Sequence, residues 1–298
     1  MHRALIDDLK KWDVSYKEQD DLSKYSFMKC GGFSALSVFP DNLDQLIKIL
    51  GRICAEDKRF IVCGSMSNIL PRDGLNDVVI VKTSKINNKS LAENKITLGC
   101  GALLSTAMIY CAKNSLGGFE GLATIPGTVG GAVYGNSGAF GASVSDCFSN
   151  ALCYETVKLD VNQISAKDAC FSYRSSALRA QGLVLLEACF ELLYDQSESV
   201  LTEIQSIKEK RRATQPYDFP SLGSVFKRVG GISAGYYIDR CGLKGYRIGG
   251  ACVSDKHAGF IINLGGASSS DCLSLIDFVR ERVFRQFGIE LQTEIKIL

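Results

Sequence analysis

The amino-acid sequence predicts an α+β protein on three observations. Helical and strand-like hydrophobic patterns both occur, but they do not alternate regularly as βαβ units require. A glycine-dense run at residues 117–141 divides the strand-like segments, and a polar break at residues 194–198 precedes two helical patterns. With 298 residues, of which 46% are apolar, the chain is long enough for two or three cores.

The N-terminal half begins with an alternating strand at residues 35–40. Asp41 is predicted to cap the helix that follows. Five apolar residues of this helix fall on one face, namely Leu43, Leu46, Ile47, Leu50 and Ile53. Three strands and a helix complete this half, at residues 59–63, 78–82, 95–99 and 103–114.

The glycine run is followed by two predicted strands, at residues 150–158 and 182–192. Beyond the polar break, residues 200–212 are predicted to form a helix that ends in a basic run. A second helix spans residues 270–286 and stops at Gly288. The chain closes on a predicted strand at residues 289–297, with apolar residues on one face and polar residues, including Glu294, on the other.

The bulk composition argues against several classes of function. A net charge of +2 with intermingled signs gives no footprint of nucleic-acid binding. Because the start lacks an apolar export segment and no run of 18 apolar residues occurs, a soluble, cytoplasmic protein without membrane contact is expected. No obligatory protein partner is indicated.

Twelve cysteines are present, and no two of them have the spacing C-x-x-C. Most lie in apolar runs, so buried, reduced thiols are expected and not zinc ligands or disulfides. With His2 and His257 as the only histidines of the sequence, no metal site is predicted.

The glycine run is the most informative segment. Nine of its 25 residues are glycine, yet apolar residues such as Val129 and Phe140 are interspersed, which a flexible linker would lack. Glycine permits close approach of the backbone to a phosphate or a flat ring. The alternative is a set of tight turns in a β-rich core. Neither G-x-G-x-x-G nor GK[ST] occurs, so the run is neither a Rossmann fingerprint nor a P-loop.

A second small-residue segment, Gly64-Ser65-Met66-Ser67-Asn68, directly follows the strand predicted at residues 59–63. Such a turn offers several N–H groups and two hydroxyls at one point, which suits a pyrophosphate. Alone, it is more often an ordinary turn. Two such loops in one chain fit a dinucleotide better than a mononucleotide.

The densest polar constellation lies in residues 215–263. Its cations, together with Arg212, suit a phosphorylated or carboxylated ligand, although any one of them alone more often solvates the surface. No G-x-S-x-G elbow occurs and no histidine lies near Ser224 in sequence, so a hydrolase triad is not predicted. A serine without a base can still donate a proton to a strongly basic carbon.

Several long motifs occur in one order along the chain: IPGTVGGAVYGNSGAFG (125–141), YRSS (173–176), QPYDFPSLGSVFK (215–227), GLKGYRIGGACVSDKHAGFIIN (242–263) and the closing Glu294. In these motifs the chain resembles the shorter type of the UDP-N-acetylenolpyruvoylglucosamine reductase family. The resemblance implies an FAD-binding domain of the vanillyl-alcohol-oxidase type at residues 1–195, in two α+β subdomains divided near residue 80. It also implies a substrate-binding α+β domain at residues 196–298.

The resemblance further implies roles for individual residues. Ser224 matches the proton donor, Glu294 the C-terminal catalytic carboxylate, and Arg174 the arginine beside the substrate carboxylate. The residues matching FAD-binding positions are Gly64, Ser65, Met66, Ser67, Asn68, Gly127, Thr128, Gly130, Gly131, Ala132, Asn136, Gly138, Ala139 and Phe140. Those matching positions around the sugar nucleotide are Arg212, Lys227, Arg228, Arg247 and His257.

Three departures from the family pattern occur. Met66 replaces a common glycine, which is harmless only if its φ is negative. Arg228 replaces a neutral polar residue, and Phe140 stands where tyrosine is common.

The implied reaction is the NADPH-dependent reduction of UDP-N-acetylglucosamine enolpyruvate to UDP-N-acetylmuramate, a step of peptidoglycan precursor synthesis. Non-covalent FAD carries hydride from NADPH through its N5 to the enolpyruvyl C3, and Ser224 protonates C2. Two alternatives are another FAD oxidoreductase of the same fold and a non-catalytic binder of flavin or sugar nucleotide. A covalent flavin would favour the first alternative, and a flavin that does not turn over would favour the second.

Overall fold

The structure is a computed structural model that describes residues 2–298, apart from the side chain of residue 179. Its α-helices are α1 Arg3–Lys11, α2 Leu43–Ala55, α3 Leu104–Lys113, α4 Val129–Tyr134, α5 Ala177–Ala180, α6 Ser197–Thr214, α7 Ala234–Arg240 and α8 Ser269–Phe287. Short 3₁₀ turns lie at Leu22–Lys24, Glu120–Leu122 and Val144–Asp146.

Most strands are short. They are β1 Ser15–Asp21, β2 Phe33–Phe39, β3 Phe60–Cys63, β4 Ile69–Leu70, β5 Leu75–Lys82, β6 Lys89–Ala92, β7 Lys95–Gly99, β8 Leu116–Gly117, β9 Gly138–Ala139, β10 Ala142–Ser143, β11 Phe148–Glu155, β12 Asp160–Ser165, β13 Leu183–Glu191, β14 Leu193–Tyr194, β15 Ser221–Ser224, β16 Arg247–Ile248, β17 Ala251–Val253, β18 Phe260–Asn263 and β19 Lys296–Ile297. The mixture of helices and antiparallel sheets confirms the predicted α+β class.

The chain divides into two compact units. The first contains the N-terminal segment through Glu18 together with Leu36–Gly64 and Val78–Lys210. The second contains Gln19–Ala35, Ser65–Asp77 and Arg211–Leu298. These units do not follow the predicted boundary after residue 195. The assignment of the two parts to cofactor and substrate stays a prediction.

The first unit is built around a five-stranded antiparallel sheet in the order β12-β11-β13-β7-β6. A parallel pair, β3 and β5, also belongs to it, and Cys63 pairs with Lys82 where both strands end. The core is apolar and includes the buried face of α2, formed by Leu46, Ile49, Leu50 and Ile53. The first glycine segment starts directly after β3, which ends at Cys63.

The second unit contains a four-stranded sheet in the order β15-β18-β17-β16. Helix α8 packs its buried residues, among them Leu275 and Val279, into the core of this unit. The short strands β4 and β19 pair in parallel, with Ile69 opposite Lys296.

Two local predictions are wrong. Asn42, and not Asp41, caps α2, because Asn42 precedes the first helical residue and its side chain accepts a hydrogen bond from the N–H of Gln45 at 2.9 Å. The terminal strand at residues 289–297 shrinks to β19, and Ile297 is 38% exposed although it belongs to the predicted apolar face. Before β19, Thr293 forms only an isolated antiparallel bridge with Phe226 and does not extend a sheet.

Candidate active site

The first glycine segment starts where β3 ends. An added Cβ on Gly64 would lie 2.1 Å from Oγ1 of Thr128, so only glycine fits there. Thr128 belongs to the second segment and is buried. The structure therefore brings the two predicted loops into contact at these two residues.

The second segment forms the short helix α4 and the hairpin β9–β10. The N–H of Val129 donates to the carbonyl of Ala102, and the N–H of Gly130 donates to that of Cys100, both at 2.8 Å. A Cβ on Gly130 would lie 2.9 Å from the same Cys100 oxygen. Gly130 is therefore required by packing within the protein. This close approach is to the protein's own backbone, and the approach of the glycine run to a ligand stays a prediction.

Gly131 differs from its neighbour. It is exposed, and a Cβ there would meet only Thr128 Oγ1, at 3.9 Å. Its N–H lies in the first turn of α4, where no carbonyl of the same helix precedes it. Protein packing thus leaves room at Gly131 for another molecule to approach the backbone, which fits the diphosphate of a dinucleotide.

The YRSS segment and the preceding Ser172 are connected to the glycine run by three side-chain hydrogen bonds. Arg174 Nη2 donates to the carbonyl of Gly138 at 2.8 Å, Asn136 Nδ2 to that of Ser172 at 3.0 Å, and Ser176 Oγ to that of Tyr134 at 2.9 Å. The guanidinium of Arg174 has five N–H donors, so it can hold Gly138 and also a ligand carboxylate. The structure thus brings Arg174 to the predicted FAD-binding run.

The remaining predicted residues of this run line its backbone turns. Gly127 has φ of +150°, and its carbonyl accepts a hydrogen bond from the N–H of Leu104. Ala132 is buried in α4, and Ala139 pairs with Ala142 across the hairpin.

Four predicted site residues other than glycine have left-handed backbone conformations, namely Met66, Asn136, Phe140 and Arg174. The condition that φ of Met66 be negative is not met, because φ is +52°. The side chain of Met66 is 3% exposed, and burial of this long apolar group offsets the left-handed strain of about 1–2 kcal/mol. Phe140 is 48% exposed.

Ser224 ends β15 at an irregularity of the β15–β18 ladder, where Gly223 has φ of +78°. A bulge of this kind turns a side chain out of the regular alternation, and Ser224 is exposed. The adjacent Val225 is held on both sides. Its N–H donates to the carbonyl of Gly259 at 2.9 Å, and its carbonyl accepts from the N–H of Glu294 at 2.8 Å. Ser224 and Glu294, far apart in sequence, are neighbours in the second unit.

Asn68 joins this constellation. Its side-chain nitrogen donates to the carbonyl of Glu294 at 3.3 Å, and its own carbonyl accepts from the N–H of Lys296 at 2.9 Å. The end of the first loop is thereby attached to the C-terminal segment. Ser65 and Ser67 lie in the same loop and are partly buried.

His257 lies close to the Ser224 bulge in the second unit. Its Nδ1 accepts a hydrogen bond of 3.1 Å from the N–H of Gly259, and the carbonyl of Gly259 accepts the hydrogen bond from Val225. Burial lowers the pKa of His257 below its usual value, because the cationic form is poorly solvated there. The ring is therefore neutral at pH 7, with its proton on Nε2 as a donor.

The predicted cations have different surroundings. Arg228 is exposed, and its Nη1 donates to the carbonyl of Gly231 at 3.3 Å. Arg212 and Arg247 are exposed, whereas Lys227 is half-buried and its N–H donates to the carbonyl of Gln292 at 2.9 Å. Their contact with a sugar nucleotide stays a prediction.

Lys82 was not among the residues predicted for the site. This lysine is 6% exposed, and its Nζ donates to the carbonyl of Gly64 at 2.8 Å. The available signal was a lysine at the end of the apolar run Val78–Val81, a position where a charge is rarely buried without a partner.

Comparison with known proteins defines the class of protein. Residues 34–160 match the family described as FAD binding domain. Residues 215–298 match the C-terminal domain of UDP-N-acetylenolpyruvoylglucosamine reductase. The chain is a flavin-dependent oxidoreductase with FAD as its cofactor, as predicted.

Whole-chain similarity identifies the family. The chain is 38% identical over 294 residues to the UDP-N-acetylenolpyruvoylglucosamine reductase of Caldicellulosiruptor saccharolyticus, with 97% of this chain and 94% of the relative covered. It is 37% identical over 298 residues to the enzyme of that name from Streptococcus pneumoniae strain Hungary19A-6, with coverage of 100% and 98%. The chain belongs to the UDP-N-acetylenolpyruvoylglucosamine reductase family.

Solved structures agree with the predicted fold. The reductase of this family from Thermus caldophilus superimposes with a TM-score of 0.80 at 28% identity, covering 95% of this chain and 98% of that one. An alkyldihydroxyacetonephosphate synthase matches 65% of this chain and 41% of its own, with a TM-score of 0.50 and 14% identity, which shows the fold alone. The prediction of a flavin-binding α+β fold of this kind is confirmed.

Three further features bear on the predictions from composition. Among residues 2–298, no helix has the length and apolar character needed to cross a membrane. Over the same residues, no group of three or more His, Cys, Asp or Glu side chains is arranged to hold a metal ion. All twelve cysteines are thiols, and eight of them are buried.

Proposed function

We propose that this chain reduces the enolpyruvyl ether of UDP-N-acetylglucosamine to UDP-N-acetylmuramate, with NADPH as the reductant. One observation carries the proposal. The N–H of Glu294 donates a hydrogen bond to the carbonyl of Val225, the residue after Ser224, so the backbones of Ser224 and Glu294 lie close together. A protein that only bound flavin or a sugar nucleotide would not need a serine and a glutamate on adjacent backbone segments at a strand bulge.

The reaction adds two hydrogens across the C=C bond of the enol ether, hydride at C3 and a proton at C2. FAD, when bound, supplies the hydride that it has taken from NADPH, which leaves as NADP⁺. The residues of the protein must then stabilise negative charge on the substrate carboxylate and deliver the proton.

Ser224 is the proposed proton donor to C2. A serine hydroxyl is a weak acid, so the transfer depends on the strong basicity of the enolate carbon. The bulge at Gly223 and the two hydrogen bonds of Val225 hold the Ser224 backbone in place. A fixed donor avoids the cost of reorganisation when charge develops.

Arg174 and Glu294 are the proposed partners of the substrate carboxylate. The hydrogen bond from Arg174 to Gly138 restricts its guanidinium while leaving N–H groups for an anion. Glu294 contributes a hydrogen bond to the developing charge if it carries a proton. The cations Arg212, Lys227, Arg228 and Arg247, together with His257, are the proposed contacts of the sugar nucleotide.

The reductant, the substrate and a cytoplasmic location belong to this proposal. They are supported by membership of the family.

An anaerobic spectroscopic experiment tests the proposed function. The protein reconstituted with FAD should lose its flavin absorbance on addition of NADPH and regain it on addition of UDP-N-acetylglucosamine enolpyruvate. Reduction of the bound FAD by a small alcohol or acid, with no reoxidation by the enol ether, would favour another FAD oxidoreductase. Bound flavin that NADPH cannot reduce would favour a non-catalytic binder.

A further inference from the structure

Lys82 lies at the carboxyl end of β5, directly beside the first glycine segment. Only 6% of its surface is exposed, and its Nζ donates a hydrogen bond of 2.8 Å to the carbonyl oxygen of Gly64. A lysine side chain is almost never buried to this extent unless its charged group is paired with a partner. The reaction proposed above assigns it no role.

The sheet explains how this lysine reaches the loop. Strands β3 and β5 are parallel, with Cys63 opposite Lys82, so their carboxyl ends meet at one edge. Thr83 extends the connection, since its N–H donates to the carbonyl of Cys63 at 3.0 Å. In open sheets of parallel strands, ligands bind outside this carboxyl edge.

The hydrogen bond also sets the orientation of a backbone donor. The peptide between Gly64 and Ser65 is planar and trans, so the N–H of Ser65 points away from the carbonyl that Lys82 holds. On its other side, Gly64 packs against Thr128 of the second segment. Lys82 therefore fixes the peptide at which the first segment begins.

The thiol of Cys63, which pairs with Lys82 across the two strands, carries no charge at pH 7. Burial raises the pKa of Cys63 to about 11, so this cysteine is neutral at pH 7. A cation in a poorly solvated position acts on an anion over a longer distance than a surface cation does.

We propose that Lys82 is a cofactor-positioning residue that recognises the diphosphate of FAD indirectly. It holds the Gly64–Ser65 peptide so that an N–H faces the diphosphate, and it places a positive charge behind that peptide. The inference rests on the FAD binding of the proposed function and is independent of which substrate is reduced.

Three substitutions separate the hydrogen bond from the charge. Lys82→Met removes both, Lys82→Gln keeps a donor without charge, and Lys82→Arg keeps both. Lys85→Met is the matched control, because Lys85 is an exposed lysine close in sequence that pairs with Asp41. The dissociation constant of FAD is measured by titration of the apoprotein, and thermal unfolding of each apoprotein reports its stability.

We expect Lys82→Met to weaken FAD binding about 10- to 150-fold, the range for loss of a hydrogen bond to a charged group. Lys82→Gln should lie between Lys82→Met and the wild type, Lys82→Arg within about fivefold of the wild type, and Lys85→Met unchanged. Tighter FAD binding by Lys82→Arg than by Lys82→Gln would show that the positive charge, and not only the hydrogen bond, contributes to FAD affinity.

Wild-type FAD affinity in Lys82→Met or Lys82→Gln would overturn the proposal. If Lys82→Met does not fold, equal affinities of the Gln and Arg variants would overturn it, because the charge would then contribute nothing. If the wild type binds FAD tightly but does not reduce the sugar nucleotide, the proposed function fails while the role of Lys82 stands.

Discussion

The position of Ser224 is fixed by the backbone hydrogen bonds of the adjacent residue and not by packing of its own side chain. It is exposed, whereas the adjacent Val225 is 1% exposed and hydrogen-bonded on both sides. A change confined to the Ser224 hydroxyl should therefore leave the backbone of the site unaltered. This allows its chemistry to be tested apart from folding.

We predict that Ser224→Ala separates the two half-reactions. Reduction of bound FAD by NADPH should stay near the wild-type rate, because it needs no proton at the substrate C2. Reoxidation by UDP-N-acetylglucosamine enolpyruvate should slow by about a thousandfold, or about 4 kcal/mol of barrier. Stopped-flow absorbance measures both steps. Equal slowing of both would mean that Ser224 shapes the pocket and that another group delivers the proton.

Gly130 and Gly131 are adjacent but are required for different reasons. A Cβ would collide with the Cys100 carbonyl at Gly130 and would meet no atom closer than 3.9 Å at Gly131. Gly130→Ala should therefore destabilise the protein by about 1–3 kcal/mol.

Gly131→Val should affect the cofactor and not the fold. Its side chain would occupy the space through which a ligand approaches the backbone. We expect near-normal thermal unfolding of the apoprotein and weaker FAD binding by titration. Normal FAD affinity in Gly131→Val would mean that this glycine serves only as turn scaffolding.

The N-terminus of α8 is stabilised by several side-chain hydrogen bonds. Ser268 and Asp271 form a capping box, and Asp73 accepts hydrogen bonds from the backbone N–H groups of Ser269 and Ser270 at 3.0 and 2.8 Å. Burial opposes the ionisation of Asp73, but the hydrogen bonds from Ser270 and Ser269 outweigh it and the pKa of Asp73 falls below its usual value.

We predict that Asp73→Asn lowers the free energy of unfolding by about 1 kcal/mol at pH 7, as for a lost helix cap. Because the folded-state pKa lies below the unfolded one, the stabilisation is present above about pH 4 and is lost as the pH falls through the folded value. Urea unfolding at pH 7 and at pH 3 measures both effects. Asp77→Asn, in the nearby strand β5, is the control. A difference between wild type and Asp73→Asn that did not shrink at pH 3 would contradict this account.

At the scale of the whole molecule, the burial of the thiols reports how tightly the interior of each core is packed. Eight cysteines are buried, and burial raises the pKa of Cys100, Cys111 and Cys153 to about 12. Cys170 alone of the twelve is classed as exposed. The thiolate is the reactive form, so buried thiols with raised pKa values react slowly.

A thiol-reactive chromogenic disulfide should therefore label native protein in one fast step, at Cys170. The partly buried Cys54, Cys189 and Cys241 should follow more slowly, and all twelve thiols should react in denaturant. Cys170→Ser should abolish the fast phase. Several fast thiols in that variant would show that a core opens readily.

The sequence alone was enough to predict the α+β class, the four longest helices (α2, α3, α6 and α8), FAD as the cofactor and the family. Of the strands, it predicted β2, β3, β5, β7, β11 and β13, and missed most of the shorter ones. Hydrophobic periodicity and the glycine run reflect interactions within short segments, so they can be read locally. Gly64 and the glycine run were expected to serve one ligand, and the structure places Gly64 against Thr128.

Only the tertiary structure decided which residues meet. Asp41 and Asn42 are both good caps, and the geometry of α2 selected Asn42. The left-handed backbone of Met66, the hydrogen bond between Glu294 and Val225, and the burial of Lys82 depend on segments far apart in the chain. No local pattern encodes such contacts, because they form only when the packed cores bring those segments together.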